Sequence, residues 1–178
     1  MNAPLQSRYA AGQPAWPDSF GNWESAVAAL GLDEAARRCN GPFAFAAPRQ
    51  GGGTVCAVDR FAQETLCWTV GEEGLRVSPR ADAFGARDID AQAIYDYLYF
   101  HVIPSPRTIF RGVHRLPPAT LARFDDGGLD ARPYWQPRFT EPASADFAAL
   151  AASFRRLLRE AVGCALDGSK AACYLSGG

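Results

Sequence analysis

FAFAAPRQGGGTVCAV, residues 43–58, holds two short apolar runs around a turn rich in glycine. Phe43-Ala44-Phe45-Ala46 has the composition of a strand. It leads into a turn over Pro48–Gly53, from which Thr54–Val58 returns. The pattern repeats downstream, where Leu66–Val70 and Leu75–Ser78 flank a turn at Gly71–Gly74. Successive short strands joined by tight turns predict antiparallel sheet rather than βαβ units.

Towards the N-terminus, residues 1–20 hold three prolines and little periodicity, and are expected to form a loose arm. Trp23, Val27 and Leu30 recur at helical spacing. A second short helix is expected from Asp33, as N-cap, to a C-cap at Asn40-Gly41. Towards the C-terminus, Asp90 opens a predicted helix that runs to about His101, with Ala93, Ile94, Tyr97 and Leu98 on one side. Pro104 and Pro106 end it. Val113–Leu116 and Thr120–Phe124, with a turn at Asp125–Gly128, predict a further hairpin that leads into Tyr134-Trp135. Phe43, Phe45, Tyr97, Tyr134 and Trp135 are assigned to the core.

Glu141–Ser144 has linker composition, and Ser144 is the expected cap of a long helix striped by Phe147, Leu150, Phe154, Leu157 and Ala161. Gly168-Ser169 then makes a turn before the apolar run Ala171–Leu175. The chain thus divides into an α+β part from about 20 to 138 and, from about 144, a helix–strand–glycine-turn sequence that opens a parallel α/β domain. An apolar strand such as Ala171–Leu175 belongs inside a parallel sheet, so a chain ending just after it is expected to be truncated or a fragment.

Composition narrows the function. Eighteen Lys and Arg against nineteen Asp and Glu leave no global field to recruit nucleic acid or an acidic membrane. The longest apolar runs, such as Phe43–Ala47, are too short to span a bilayer. The opening Met-Asn-Ala-Pro-Leu-Gln has neither the charged start nor the apolar stretch of a secretory signal, so a cytoplasmic location is expected. Five cysteines at 39, 56, 67, 164 and 173 form no Cys-x-x-Cys pair, and only two histidines accompany them. They are assigned to apolar burial in a reducing compartment, and no metal site is expected.

The segments GPFAFA (41–46), AVDRF (57–61), PSPRTIFRGVHRLPPAT (104–120), RPYW (132–135) and YLSGG (174–178) resemble, in this order, those of asparagine synthetases. The resemblance covers about residue 20 to the last residue. It implies an N-terminal glutamine amidotransferase type 2-like domain over residues 21–140, after the arm at 1–20. The expected fold is α+β, with layered antiparallel sheets and helices like those of Ntn hydrolases. Residues 144–178 would begin an ATP-pyrophosphatase domain of the PP-loop kind. Such enzymes use ATP and Mg²⁺ to activate a carboxylate, usually that of aspartate, and ammonia from glutamine displaces AMP to form an amide. Their partners are small molecules, and a homodimer is compatible with the resemblance. Ser176, Gly177 and Gly178, after Leu175, match the start of the pyrophosphate loop; two glycines let the backbone approach phosphate oxygens, and a following helix would offer its N-terminal amides.

Departures from the family pattern are equally specific. The family's glutaminase uses a cysteine as first residue, whose free amine activates its own thiol. This sequence starts Met1-Asn2 and has no cysteine before Cys39. The glutamine-holding Asn-Gly-Glu segment has no counterpart. The family's acidic residue near Trp23 is matched by none at its own position, although Asp18 and Glu24 lie beside Asn22 and Trp23. The family's Asp-x-x-Gly-x-x-Pro-Leu turn reads Asp59–Leu66 with neither the glycine nor the proline. Glutamine hydrolysis is therefore not expected. Among relatives without that cysteine are β-lactam synthetases and lasso-peptide cyclases, in which an internal amine replaces ammonia; a non-catalytic scaffold domain is the other alternative. Asp59 and Arg60 are candidate remnants of a substrate pocket, against a structural Asp–Arg pair. Arg107, Arg111 and Arg115 beside Thr108 suit either a phosphate or interface contact, or a solvated loop. His101 and His114 are assigned to packing.

Overall fold

The computed structural model describes residues 9–16, 20–49, 51–72, 74–125, 128–141, 146–166, 168 and 170–172. It divides into two compact units, Met1–Pro137 and Arg138–Gly178.

The first unit is built on a five-stranded antiparallel sheet in the order β1 (Tyr9–Gly12), β2 (Phe43–Pro48), β3 (Thr54–Val58), β7 (Thr120–Asp125), β8 (Gly128–Pro133). A second, three-stranded sheet has β4 (Cys67–Gly71) between β5 (Gly74–Ser78) and β6 (His114–Arg115). Among the described residues this unit has the α-helices α1 (Trp23–Leu30), α2 (Leu32–Arg38) and α3 (Ala91–Phe100), with a short 3-10 turn at Ala81–Phe84.

Strand alternation sorts the core into two layers. Phe43, Phe45 and Ala47 of β2, Ala57 of β3 and Leu121 of β7 pack with Trp23, Ala26, Ala35 and Ala36 of α1 and α2. The intervening residues Ala44, Ala46, Cys56, Val58, Ala122 and Phe124 meet Leu75 of the second sheet, together with Leu66 and Leu116. The central strands are covered on both faces, so FAFAA and TVCAV are continuously apolar rather than half polar. On the helix face one slot is large (Phe43, Phe45) and on the other small (Ala44, Ala46), which lets the second sheet approach closely.

Three sequence expectations are corrected here. The stretch assigned to a loose arm contributes β1, which pairs with β2 from Tyr9↔Ala46 to Gly12↔Phe43. Its continuation is held by backbone bonds of Gln13 to Pro42 and of Ala15 to Asn40. The Trp16 indole then donates to Ala35 O at 3.1 Å. YAAG carries no alternation, and its partner lies far along the chain. Gly12 has φ +87°, and a Cβ there would come 2.2 Å from Pro42 O, so the close crossing needs glycine.

Secondly, Val113–Leu116 and Thr120–Phe124 do not form a hairpin with each other. β6 pairs with β4 in the small sheet, while β7 joins β3 and makes its hairpin with β8. Leu-Pro-Pro at 116–118 carries the chain from one sheet to the other, because consecutive prolines supply no ladder donors.

Thirdly, α3 starts where expected, with the Asp90 side chain accepting from Gln92 N at 3.0 Å, and Ala93 is buried as expected, but Ile94, Tyr97 and Leu98 of the expected face are exposed. Ala93 and Asp96 are its buried residues; Tyr97 is 55% exposed and Leu98 70%, so Tyr97 is not core. A smaller shift concerns α2, whose N-cap is Gly31; Asp33 lies in its first turn and pairs with Arg132 of β8. Its C-cap is Cys39 rather than Asn40.

The second unit contains α4 (Phe147–Ala165), whose N-cap Asp146 accepts from Ala148 N at 2.9 Å. Ser144, the expected cap, lies outside the described residues. An Arg156–Glu160 pair at 3.0 Å staples one turn. The striped residues Phe147, Leu150, Phe154 and Leu157 are all exposed. Leu175, Ser176, Gly177 and Gly178 lie outside the described residues, as does most of the apolar run before them; Ala171 and Ala172 are irregular.

Candidate functional site

Asp59 follows the last residue of β3 and is only 2% exposed. Its carboxylate is surrounded by main-chain donors. Oδ1 accepts from Phe61 N at 2.9 Å and Gln63 N at 3.1 Å. Oδ2 accepts from Glu64 N at 3.0 Å and Phe43 N at 3.2 Å. The Asp59 main chain also bonds both ways: its N–H donates to Phe43 O at 2.9 Å, and its carbonyl accepts from Ala119 N at 2.8 Å. One residue thereby ties β2, the 60–64 turn and the entry to β7. A carboxylate has about four lone-pair positions, and four donors occupy them here.

Arg60 turns the other way. Nη1 donates to Asn40 Oδ1 at 2.9 Å and Nη2 to Arg37 O at 2.6 Å. The second bond satisfies a carbonyl in the last turn of α2, where a cation is favoured. Asp59 and Arg60 are thus adjacent in sequence but engaged with different partners. They border a cleft of about 220 Å³ with Cys39, Asn40, Phe43 and Phe61. Phe61 is mostly exposed at its mouth and meets the Trp135 ring edge-on at 5.6 Å. Beneath it the buried Tyr134 hydroxyl donates to Val58 O at 3.1 Å, and burial pushes that phenol's pKa up.

The thiols bear directly on chemistry. A nucleophilic cysteine needs an accessible site that stabilises thiolate. Cys39, Cys56 and Cys67 are all buried. Burial pushes Cys39 and Cys56 up to about 12 and raises Cys67, so all three stay protonated at neutral pH. For Cys39, Arg60 pulls downward and Asp59 upward, both less strongly than burial. Cys164, on α4, is exposed. Brief iodoacetamide treatment of the native protein at pH 8 is expected to label Cys164 at least about tenfold faster than Cys39, Cys56 or Cys67, as peptide mass mapping would show. Comparable labelling of Cys39 would mean that its cleft opens.

The arginine cluster at 107–115 is largely internally satisfied. Arg107 bridges Asp90 at 3.0 Å and Asp96 at 2.9 Å. Asp96 also accepts from Gln92 at 2.7 Å. Arg115 donates to Ile103 O at 2.5 Å and Ser105 Oγ at 3.2 Å. Arg111 lies 3.9 Å from Asp88, both well exposed. The buried Thr108 hydroxyl donates to Val113 O at 2.8 Å. This loop is therefore a brace between α3 and β6. His101 caps α3 in a left-handed conformation, and His114 stacks on Trp68 at 4.6 Å. Among the described residues no three His, Cys, Asp or Glu side chains are grouped to hold a metal ion.

Sequence reasoning singled out neither Arg49 nor Arg123. Arg49 lies just after β2 and Arg123 on β7, and only the sheet register brings their neighbourhoods together at one large cleft.

Two antiparallel sheets, one backed by a helical pair, make the first unit an α+β domain whose architecture fits the Ntn-like amidotransferases. The family model described as a glutamine amidotransferase domain matches residues 24–135, and the chain belongs to that family. A search of the curated proteins finds no match.

Proposed function

We propose that this chain supplies the amidotransferase-type part of an ATP-dependent, amide-forming ligase of the asparagine synthetase kind, and that its amidotransferase unit does not release ammonia from glutamine. The observation that carries the second half is the state of the thiols. The cysteines of residues 1–137 are Cys39, Cys56 and Cys67; all are buried, and burial holds each in the neutral form. Asp59, the other candidate group of the unit, has its acceptor positions filled by main-chain amides.

The ligase half rests on the ordered motifs from GPFAFA to YLSGG and on exposed apolar surface. Tyr95, Leu98 and Tyr99 of α3 are solvent-exposed, as are Phe147, Phe154 and Leu157 of α4. Faces of this kind usually mark contact with further protein. In ligases of this kind ATP with Mg²⁺ activates the acceptor carboxylate. On this chain Ser176, Gly177 and Gly178 are the residues proposed to meet the pyrophosphate, with an aspartate-like carboxylate and ammonia or another amine as substrates. The setting we propose is cytoplasmic. No helix among the described residues is long and apolar enough to cross a membrane.

The full-length gene product, supplied with ATP, Mg²⁺ and aspartate, is expected to release pyrophosphate and form amide with ammonium but not with glutamine. Ammonia release from glutamine would overturn the inactive amidotransferase. Pyrophosphate release with a different carboxylate and an internal amine would move the assignment to a β-lactam-synthetase or lasso-cyclase type. Absence of ATP turnover with every substrate would leave a non-catalytic binding domain, a reading favoured by the commitment of Asp59 to four main-chain amides.

A further inference from the structure

A cleft of about 710 Å³ opens where the helix pair α1–α2 runs out over the large sheet. Its floor follows from the register. The row Phe45↔Ala57↔Leu121 lies under the helices, and the next row on the same face is Ala47↔Val55↔Arg123. In that row Ala47 is buried with the helix residues, Val55 is half-buried and Arg123 is exposed, while Val27 and Leu32 flank the opening. Val55, Val27 and Leu32 supply half-buried apolar surface, and Arg123 ends the row exposed.

Arg49 borders the same cleft. Its backbone is pinned by bonds between Arg49 N and Gly53 O at 3.0 Å and between Gly52 N and Arg49 O at 3.2 Å. Among the described residues neither Arg49 nor Arg123 has an ion pair or side-chain hydrogen bond. Two acidic groups are near. Glu24 of α1 also borders the cleft and has an interaction of its own. Asp130 is the register partner of Arg123 on β8 but forms no salt bridge with it. The contrast with the adjacent row is informative: there Arg132 is neutralised by Asp33 of α2. The fold thus pairs the arginine under the helices and leaves two unpaired ones beside an apolar floor.

We propose that this cleft binds a small aliphatic carboxylate, its anionic head between Arg49 and Arg123 and its chain along Val27, Leu32 and Val55. Guanidinium forks match a carboxylate in two parallel hydrogen bonds. The volume falls in the range of small-molecule sites and exceeds what a bare inorganic anion fills. The apolar floor favours a hydrocarbon tail over a polar phosphate ester, since each methylene removed from water adds to binding. The site is separate from the Asp59 cleft and does not depend on the ligase assignment.

The test uses octanoate as probe, with octanamide, acetate and inorganic phosphate as controls, read by calorimetry and by amide NMR shifts. Octanoate is expected to bind and to shift Leu32 and Val55. Octanamide and acetate should bind at least about tenfold more weakly, one lacking the charge and the other the tail. Arg49→Gln and Arg123→Gln should each weaken octanoate about tenfold with the rest of the amide spectrum unchanged. Both side chains are exposed, so neither substitution threatens the fold; Arg123→Lys should retain part of the affinity. Absence of octanoate binding, octanamide binding as tightly, phosphate or acetate binding as tightly, or indifference to both substitutions would overturn the proposal.

Discussion

Asp59→Asn is expected to destabilise the first unit by about 2–6 kcal/mol, a large fraction of the ~5–15 kcal/mol of an ordinary domain. Asparagine has nearly the same shape, so no cavity is made. One of its terminal atoms is an NH₂ donor, however, and each carboxylate oxygen of Asp59 accepts two backbone amides. Either orientation sets a donor against two buried donors, at about 1–3 kcal/mol for each amide left unmade. Urea unfolding followed by tryptophan fluorescence would measure the loss. A change below about 1 kcal/mol would show that the turn at 60–64 holds itself without the carboxylate.

The second large effect is expected at Trp23. Its indole meets Trp16 at 5.0 Å, Phe43 at 4.7 Å and Phe45 at 5.0 Å, at the junction of α1 with the large sheet. Trp23→Ala is expected to cost about 3–5 kcal/mol through the lost transfer energy and the hole left behind. Trp23→Phe should cost distinctly less. The buried Trp23 Nε1 has no hydrogen-bond partner among the described residues, so removing the N–H leaves nothing else unsatisfied. If the two variants proved equally unstable in the same urea titration, the indole nitrogen would have a partner or the whole ring's size would be indispensable.

Local signals and long-range ones were legible to different degrees. The β2–β3 hairpin, the β4–β5 hairpin and the start of α3 at Asp90 were readable because each is written in contiguous residues: an apolar run, a turn, a cap. Strand β1 was not, since four residues without alternation become a strand only by lying along β2. The hairpin expected of β6 and β7 failed for the same reason, as each pairs with a strand 46 to 70 residues away and the prolines between them change sheets. The apolar face of α3 misled because Ile94, Tyr97 and Leu98 imitate a core stripe, while a buried Asp96 held by Arg107 decides which side faces inward.

The candidate site was partly legible. Asp59 and Arg60 were singled out, yet the sequence offered no sign that their partners are main-chain groups of Phe43, Gln63, Glu64 and Arg37. Burial of Cys39, Cys56 and Cys67 was readable from their scattered spacing, but Cys164, assigned to burial with them, is exposed on α4. Arg49 and Arg123 carried no sequence signal, because their proximity exists only in the register of three strands.

The short strand Tyr9–Gly12 has one further effect. FAFAA is an uncharged, strand-prone segment of the sort that recruits copies of itself when its flank is open. Within each molecule that flank is already occupied by YAAG, and the chain beyond Gly12 stays bonded to Pro42 and Asn40. A neighbouring polypeptide therefore cannot reach FAFAA directly, and the edge it meets on that side is four residues long rather than a continuous apolar strand.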